Sequence, residues 1–238
     1  MDKIKLKKLV INAFFPERCE LCGKVIYPYL QICDECENGS FYIRNEICPF
    51  CGVEKEYCVC KKKKNSYSAI CSPFYYEGGA KKAILNLKFR KKTQYAKNLA
   101  GYMAECVEKN YPDVSFDYIT FVPMTKRQIK ERGFNQSELL AEGLYDLLLI
   151  PVKNCLVKIF ETKQQHTLKE SLRKGNVLGA FDVDKSVDLE GKTILLCDDI
   201  QTTGSTLNEC AKMLKLAGAK EVYCVTAAIT KKRVDKKQ

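Results

Sequence analysis

Ile194-Leu195-Leu196-Cys197-Asp198-Asp199-Ile200-Gln201-Thr202-Thr203-Gly204-Ser205-Thr206 is the stretch that decides the fold. Apolar residues 194–197 run into two adjacent carboxylates, and a loop of Thr, Gly and Ser follows. Leu207, Cys210, Ala211 and Leu214 then recur at helical spacing. The pattern predicts a buried strand over 193–197, a tight loop, and a helix over 208–217 closed by Gly218. Amide groups at a helix N-terminus, at the positive end of its dipole, hold a phosphate dianion. Gly204 lets the backbone come close to such a group, and Thr202, Thr203, Ser205 and Thr206 add hydroxyl donors. Ionised carboxylates only accept hydrogen bonds, so Asp198 and Asp199 suit the vicinal hydroxyls of a ribose. The stretch reads as a sugar-phosphate site at the carboxyl end of a strand, where open parallel sheets place their ligands.

Working outward, apolar runs predict strands over 69–76, 118–123, 155–160 and 222–229. Helical periodicity covers 79–89, 95–109 and 134–149. Alternating strands and helices, with strands that are apolar nearly throughout, imply a parallel α/β sheet flanked by helices.

Of the 14 cysteines, eight fall between positions 19 and 60, as Cys19-x-x-Cys22, Cys33-x-x-Cys36, Cys48-x-x-Cys51 and Cys58-x-Cys60. Two-residue spacing turns both thiolates of a knuckle toward one ion, and two knuckles complete a closed, structural zinc site. Sequence order assigns Cys19, Cys22, Cys33 and Cys36 to one ion and Cys48, Cys51, Cys58 and Cys60 to a second. The Cys58-x-Cys60 pair is tighter than usual. A disulfide framework needs an oxidising compartment. No secretory signal is evident in the Lys-rich start of the chain, so reduced thiols, zinc and a cytoplasmic location are expected. Cysteines 71, 106, 155, 197, 210 and 224 lie in apolar patterns and read as small core residues.

The 238 residues carry a formal charge of +11. The chain divides into three segments: 1–17, a short basic amphipathic stretch; 18–62, a Cys-rich module; and 67–232, an α/β domain, with the run Lys61-Lys62-Lys63-Lys64-Asn65-Ser66 as the boundary between the last two. No stretch approaches the roughly 20 apolar residues that span a bilayer. In the first segment, Ile4, Leu6, Leu9, Val10, Ala13 and Phe14 are interleaved with Lys3, Lys5, Lys7 and Lys8. A segment of this kind lies on an anionic membrane or, more often, packs on its own protein. The basic excess as a whole fits nucleic acid, since Lys and Arg contacts to phosphate dominate non-specific DNA affinity. Tyr75, Tyr76, Phe89 and Tyr95 are aromatics on which bases could stack, although at their spacing aromatics more often belong to a core. The single His166 sits in a polar stretch and is assigned no chemistry.

Val122-Pro123-Met124-Thr125-Lys126-Arg127 ends a strand in a polar basic turn, and Arg can fork onto phosphate oxygens. Arg132-Gly133-Phe134-Asn135-Gln136 follows, and then Thr162-Lys163-Gln164-Gln165, Leu168, Arg173, Asn176 and Ala180-Phe181. Together with Tyr75-Tyr76-Glu77-Gly78, Leu87-Lys88-Phe89 and the paired Cys knuckles, this order resembles the ComF family over roughly residues 15–230. The stretch at 194–206 itself resembles the ribose-5-phosphate signature of type I phosphoribosyltransferases.

The resemblance implies a type I phosphoribosyltransferase-like domain behind a double zinc-ribbon head. It implies that Asp198, Asp199 and residues 202–206 bind the phosphoribosyl group of phosphoribosyl pyrophosphate, carried with Mg²⁺. Thr125, Lys126 and Arg127 would bind its pyrophosphate, and Lys163, Gln165 and Arg173 would belong to a mobile loop over it. Lys88 and residues 132–136 belong to the family's own motifs. Members of the family act in natural transformation, handling single-stranded DNA at the inner face of the membrane with a helicase-like ATPase. The expectation is a competence protein that binds phosphoribosyl pyrophosphate and single-stranded DNA. The alternative is an active phosphoribosyltransferase with an unidentified acceptor. The chain carries no N-terminal Cys of the glutaminase kind, so glutamine-dependent amination is not expected.

Overall fold

A computed structural model describes residues 16–60, 65–159 and 179–231. Five strands form one parallel sheet around the deciding stretch. They are Ala69–Cys71 (β1), Phe74–Tyr75 (β2), Tyr118–Phe121 (β3), Thr193–Gln201 (β6) and Glu221–Ile229 (β7). The order is β1-β7-β6-β3, and β2 also pairs with β7. Gly78–Arg90 (α2), Gln94–Asn110 (α3) and Gln136–Leu148 (α5) pack on one face, and Ser205–Leu216 (α6) packs on the other. The parallel sheet flanked by helices is thus the architecture expected from the apolar runs.

Burial on both faces explains why the strands are apolar throughout. Leu195 and Cys197 of β6 join Val225 and Ala227 of β7 in the core beneath α2, α3 and α5. Ile194 and Leu196 join Val222 and Cys224 against Leu207, Cys210 and Leu214 of α6. Cys71, Cys155, Cys197, Cys210 and Cys224 are fully buried among these side chains, as expected for small core residues, and Cys106 is partly buried.

Several element bounds differ from expectation. β6 does not stop at Cys197. Its pairing with β7 continues through Asp198↔Thr226 and Ile200↔Ala228 to Gln201↔Ile229, so the two acids lie inside a strand held by a ladder. The strand expected over 69–76 is two short ones, because Pro73 has no N–H to give a ladder. The basic turn after Thr125 is a helix, Lys126–Arg132 (α4), and Gly133 at φ 95° ends it. The next helix therefore starts at Gln136, not at Phe134. The strand expected over 155–160 is Leu156–Lys158 (β4), which lies outside the parallel sheet. It pairs antiparallel with Phe181–Val183 (β5), an element without a sequence signal.

The Cys-rich module, with its one-turn helix Asp34–Glu37 (α1), covers the β1/β2 edge of the sheet. Tyr42 bridges antiparallel to Phe74, Tyr75 N–H donates to Phe41 O at 2.7 Å, and Ile70 N–H donates to Pro49 O at 3.0 Å. Phe41 and Tyr42 pack their rings on Phe74 at 5.7 and 5.1 Å. Gly79 opens the first turn of α2 so closely under the first cysteine group that a β-carbon there would sit 2.5 Å from Cys36 Sγ. Covering an edge with paired backbone removes the unpaired N–H and C=O groups it would otherwise present. Residues 1–15, 61–64, 160–178 and 232–238 lie outside the described residues, and with them the amphipathic stretch, the tetralysine run, His166 and Lys163, Gln165 and Arg173.

Candidate functional site

The two acids sit where β6 approaches its carboxyl end, and each is held by a different element. Ser137 Oγ, in the first turn of α5, donates to Asp198 Oδ1 at 2.8 Å, and Asp199 N–H donates to the same oxygen at 2.9 Å. Asp199 Oδ2 takes an ion pair from Lys88 Nζ of α2 at 2.7 Å. Burial pushes the Asp198 carboxyl up to about 7, and the Asp199 charge beside it adds to the rise; Ser137, the Asp199 amide and Lys88 oppose it. The adjacent Tyr76 hydroxyl is also pushed up, first by burial. The site therefore holds one carboxylate paired to a cation and one that takes up a proton near neutrality.

The loop beyond β6 turns sharply into α6. Gly204 is the helix N-cap at φ 78°, a conformation glycine adopts without strain. A β-carbon there would meet Gln201 Nε2 at 3.1 Å. Thr203 Oγ1 and Ser205 Oγ lie 3.0 Å apart, and Ser205 N–H donates to Thr203 Oγ1 at 3.4 Å. Thr202 is exposed, whereas Thr203 and Thr206 are half-buried. The amides of a first helical turn have no acceptor within the helix, so this loop offers donors and hydroxyls together. Among the described residues Gln201 Oε1 is buried without a hydrogen-bond partner.

The turn of Thr125 lies at the same end of the adjacent strand. Val122 N–H donates to Cys197 O at 3.0 Å, which ties the end of β3 to β6. Thr125 caps α4 in a reciprocal box: its Oγ1 accepts from Gln128 N–H at 3.2 Å, and Gln128 Oε1 accepts from Thr125 N–H at 3.0 Å. Lys158 Nζ of β4 also donates to Gln128 Oε1, at 3.4 Å. Lys126 and Arg127 occupy the first turn of α4, and Arg127 Nε pairs with Glu131 at 2.9 Å on its exposed side.

Residues 132–136 join these parts. Asn135 is buried, caps α5 through its Oδ1 to Ser137 N–H at 3.1 Å, and donates from Nδ2 to Val122 O at 3.0 Å. Gln136 is buried and accepts from Arg132 at 2.7 Å. Phe134 is half-buried against the core under α5. The motif thus docks the start of α5 on the end of β3 and aims Ser137 at Asp198. Sequence reading left Ser137, Lys158 and Gln128 without a role. The signal for Ser137 is its place two residues after an Asn N-cap.

Tyr75 and Tyr95 are buried core residues, as their spacing suggested, while Phe89 is 70% exposed at the end of α2. The Arg132 guanidinium lies 5.9 Å from the Phe89 ring centroid. Arg90, Lys91 and Lys92 follow it, and Lys91 Nζ lies beside Gly133. One exposed aromatic ring, with the Arg132 guanidinium beside it, therefore follows Lys88 in the chain.

The eight module cysteines form the two expected groups. Within Cys19, Cys22, Cys33 and Cys36, and within Cys48, Cys51, Cys58 and Cys60, all sulfurs lie within 4.8 Å of one another. Cys22 and Cys33 are 3.6 Å apart, Cys48 and Cys60 3.8 Å, and Cys51 and Cys58 3.5 Å. Tetrahedral zinc with bonds of about 2.3 Å sets its sulfurs about 3.8 Å apart, so both groups fit that ion. The tight Cys58-x-Cys60 pair completes the second group, at 3.4 Å.

Residues 10–72 match the double zinc ribbon domain, and residues 135–238 match the phosphoribosyl transferase domain. Competence protein F of Haemophilus influenzae is 30% identical over 222 residues, 88% of this chain and 95% of that protein. The chain belongs to the ComF family. Two further relatives agree. Competence protein ComFC of Bacillus subtilis is 28% identical over 200 residues, 80% of each chain. The DNA utilization protein YhgH of Salmonella typhimurium is 29% identical over 222 residues, 88% of this chain and 96% of that protein. Among solved structures, a glutamine phosphoribosylpyrophosphate amidotransferase from B. subtilis is 25% identical at a TM-score of 0.38, over 56% of this ComF chain. That match spans 26% of the amidotransferase. The two cysteine groups are accordingly the structural zinc sites of the ComF double ribbon. Among the described residues no helix is long and apolar enough to cross a membrane.

Proposed function

We propose that this ComF chain binds phosphoribosyl pyrophosphate at the end of β6 and serves DNA uptake and use, with single-stranded DNA on the cationic rim beside that site. The observation that carries the reading is the differently held acid pair, Asp198 on Ser137 and Asp199 on Lys88, directly before the hydroxyl- and glycine-rich entry to α6. The ribose hydroxyls would face the two acids, and the 5′-phosphate the donors of residues 202–206. The pyrophosphate would lie toward Thr125, Lys126 and Arg127 on the neighbouring strand's turn. Mg²⁺ arriving with the pyrophosphate would supply neutralising charge. The competence and DNA-utilization names of the relatives support the DNA role, and a helicase-like ATPase is the protein partner this role calls for.

The DNA surface is the Phe89 rim. Residues 16–60 hold eight acids against four bases, so the ribbon surface repels a phosphodiester strand. Phe89 offers a stacking face with the Arg132 guanidinium beside it and Arg90, Lys91 and Lys92 next in the chain, a combination of the kind that holds single strands without sequence preference.

Titration calorimetry of phosphoribosyl pyrophosphate with Mg²⁺ into the zinc-loaded protein tests the site, with Asp198→Asn/Asp199→Asn as control. Binding that the double substitution abolishes supports the reading; equal affinity in both proteins removes it. Pyrophosphate release is followed alongside, with and without a single-stranded oligonucleotide. Steady release driven by an added base or amine would make the chain an active phosphoribosyltransferase.

A further inference from the structure

A groove of about 520 Å³ runs between α3 and α5 at the β3 edge of the sheet, away from the acid pair. Ala96, Leu139, Gly143, Pro151 and Val152 give it an apolar floor, and Lys97 is the cation on its wall. Gly143 sets its depth, since a β-carbon there would meet the Ala100 methyl at 2.6 Å. The last turn of α5 and its cap leave Tyr145, Leu147 and Leu149 exposed, Leu149 at 77%. Along α5, Glu138, Glu142 and Asp146 repeat at i, i+4 and i+8, a spacing at which like charges repel. Burial and the Glu142 charge both push the Glu138 carboxyl up. None of the three acids has an ion-pair partner among the described residues. An apolar groove with an unneutralised acidic rim, on a chain of formal charge +11, fits a segment that is apolar on one face and basic on the other.

The chain carries such a segment, and nothing in the site uses it. Leu6, Leu9, Val10, Ala13 and Phe14 share one helical face, and Lys5 and Lys8 lie on the opposite one. The described chain begins at Pro16, and Asn98 Nδ2 of α3 holds Glu20 O at 3.2 Å. Asn98 is the neighbour of Lys97 on the groove wall. Ala13 lies seven residues before Glu20, and an extended chain of that length spans up to about 23 Å, so the segment can reach from that anchor past the neighbouring Lys97 to the groove. We propose that residues 3–15 dock in the α3/α5 groove of their own chain, with Leu9, Val10 and Ala13 on its floor and the lysines on Glu138, Glu142 and Asp146.

Zero-length carbodiimide cross-linking of the full-length, zinc-loaded protein, followed by mass spectrometry of the monomer band, tests the docking. The expected products join Lys3, Lys5, Lys7 or Lys8 to Glu142 or Asp146. The companion measurement is the rate of trypsin cleavage within residues 3–8. Glu142→Lys/Asp146→Lys changes two exposed side chains and should speed that cleavage at least 5-fold. Adding Lys7→Glu/Lys8→Glu should restore a cross-link between residues 7–8 and 142–146. Monomer cross-links from these lysines only to other acids, or equal cleavage rates in wild type and the double variant, would overturn the proposal. So would protection that develops only when phosphatidylglycerol vesicles are added, since the segment would then belong to the membrane.

Discussion

Lys88 Nζ lies 2.7 Å from Asp199 Oδ2, with only 18% and 11% of the two side chains exposed. The pair divides the labour of two adjacent acids. Asp199 pairs with a fixed cation, and the Asp198 carboxyl, which accepts from Ser137, is pushed up first by burial and then by the charge beside it. One residue of α2 therefore places its charge against an acid more than a hundred positions later in the chain.

Removing the cation leaves Asp199 half of a mostly buried pair. Lys88→Met should lower unfolding stability by about 1–3 kcal/mol, discounted from a fully buried pair for its residual exposure. Urea denaturation at pH 8 measures this. Asp199→Asn in the Lys88→Met background should recover part of the loss, because it removes the uncompensated charge.

Stability should depend on Asp198 between pH 4 and 7. The folded pKa of about 7 lies above the ordinary value of 3.8, so the folded state binds more protons than the unfolded chain in that window. The contribution is full below about pH 4 and is lost as pH rises through 7, with a steepest slope of about 1.4 kcal/mol per pH unit. Asp198→Asn should flatten this fall and raise the melting temperature at pH 8. Ser137→Ala, which removes a donor to the ionised form, should move the midpoint upward. A Ser137→Ala curve superimposable on wild type would show that the 2.8 Å bond does not act on the carboxylate.

Phe89→Ala should weaken binding of a single-stranded oligonucleotide by about 5- to 100-fold, the range of one lost stacking contact. Phe89 is exposed, so the fold should not change. Fluorescence anisotropy at fixed salt reads the effect, with heparin as a polyanion that cannot stack. Equal losses for both ligands would assign the rim to charge alone.

Cys51→Ser should release one of two zinc equivalents by elemental analysis and leave the Cys19 group filled. It should also lower the melting temperature of the α/β body, because Phe41 and Tyr42 pack on Phe74 and Ile70 N–H bonds to Pro49 O. Structural zinc in finger peptides is worth roughly 10–16 kcal/mol in apparent terms. A body that melts at the wild-type temperature with one equivalent missing would show the module to be energetically separate.

The sheet and its deciding loop were legible because β6 and β7 are buried on both faces and α6 has a clean periodicity. Cysteine spacing defined the knuckles, and sequence order put them in the two groups whose sulfurs come together. What the sequence hid depends on contacts made at a distance. Nothing local says that Ser137 reaches Asp198 or that Lys88 reaches Asp199, since both bonds join residues brought together only by the packing of α5 and α2 on the sheet. β6 was read short because acids look like a strand end, whereas the ladder to β7 carries them inside. β4 and β5 pass below the length at which alternation is readable. The charge total also misled in part: much of the basic excess lies in residues 1–15, 61–64 and 232–238 and not on the ribbon surface.

Among the described residues β1 finds its only strand partner in β7, with Ala69 opposite Tyr223. During synthesis the first strand of the sheet therefore leaves the ribosome long before the last, and pairings so distant in sequence form slowly. The ribbons precede β1 and need only metal to close. They hold Ile70 and the Phe74–Tyr75 segment from the outer side, so a ribbon closed early should cover one edge of a nascent strand before its partner is made. Zinc supply during translation, more than zinc bound at equilibrium, should then decide the yield of folded protein.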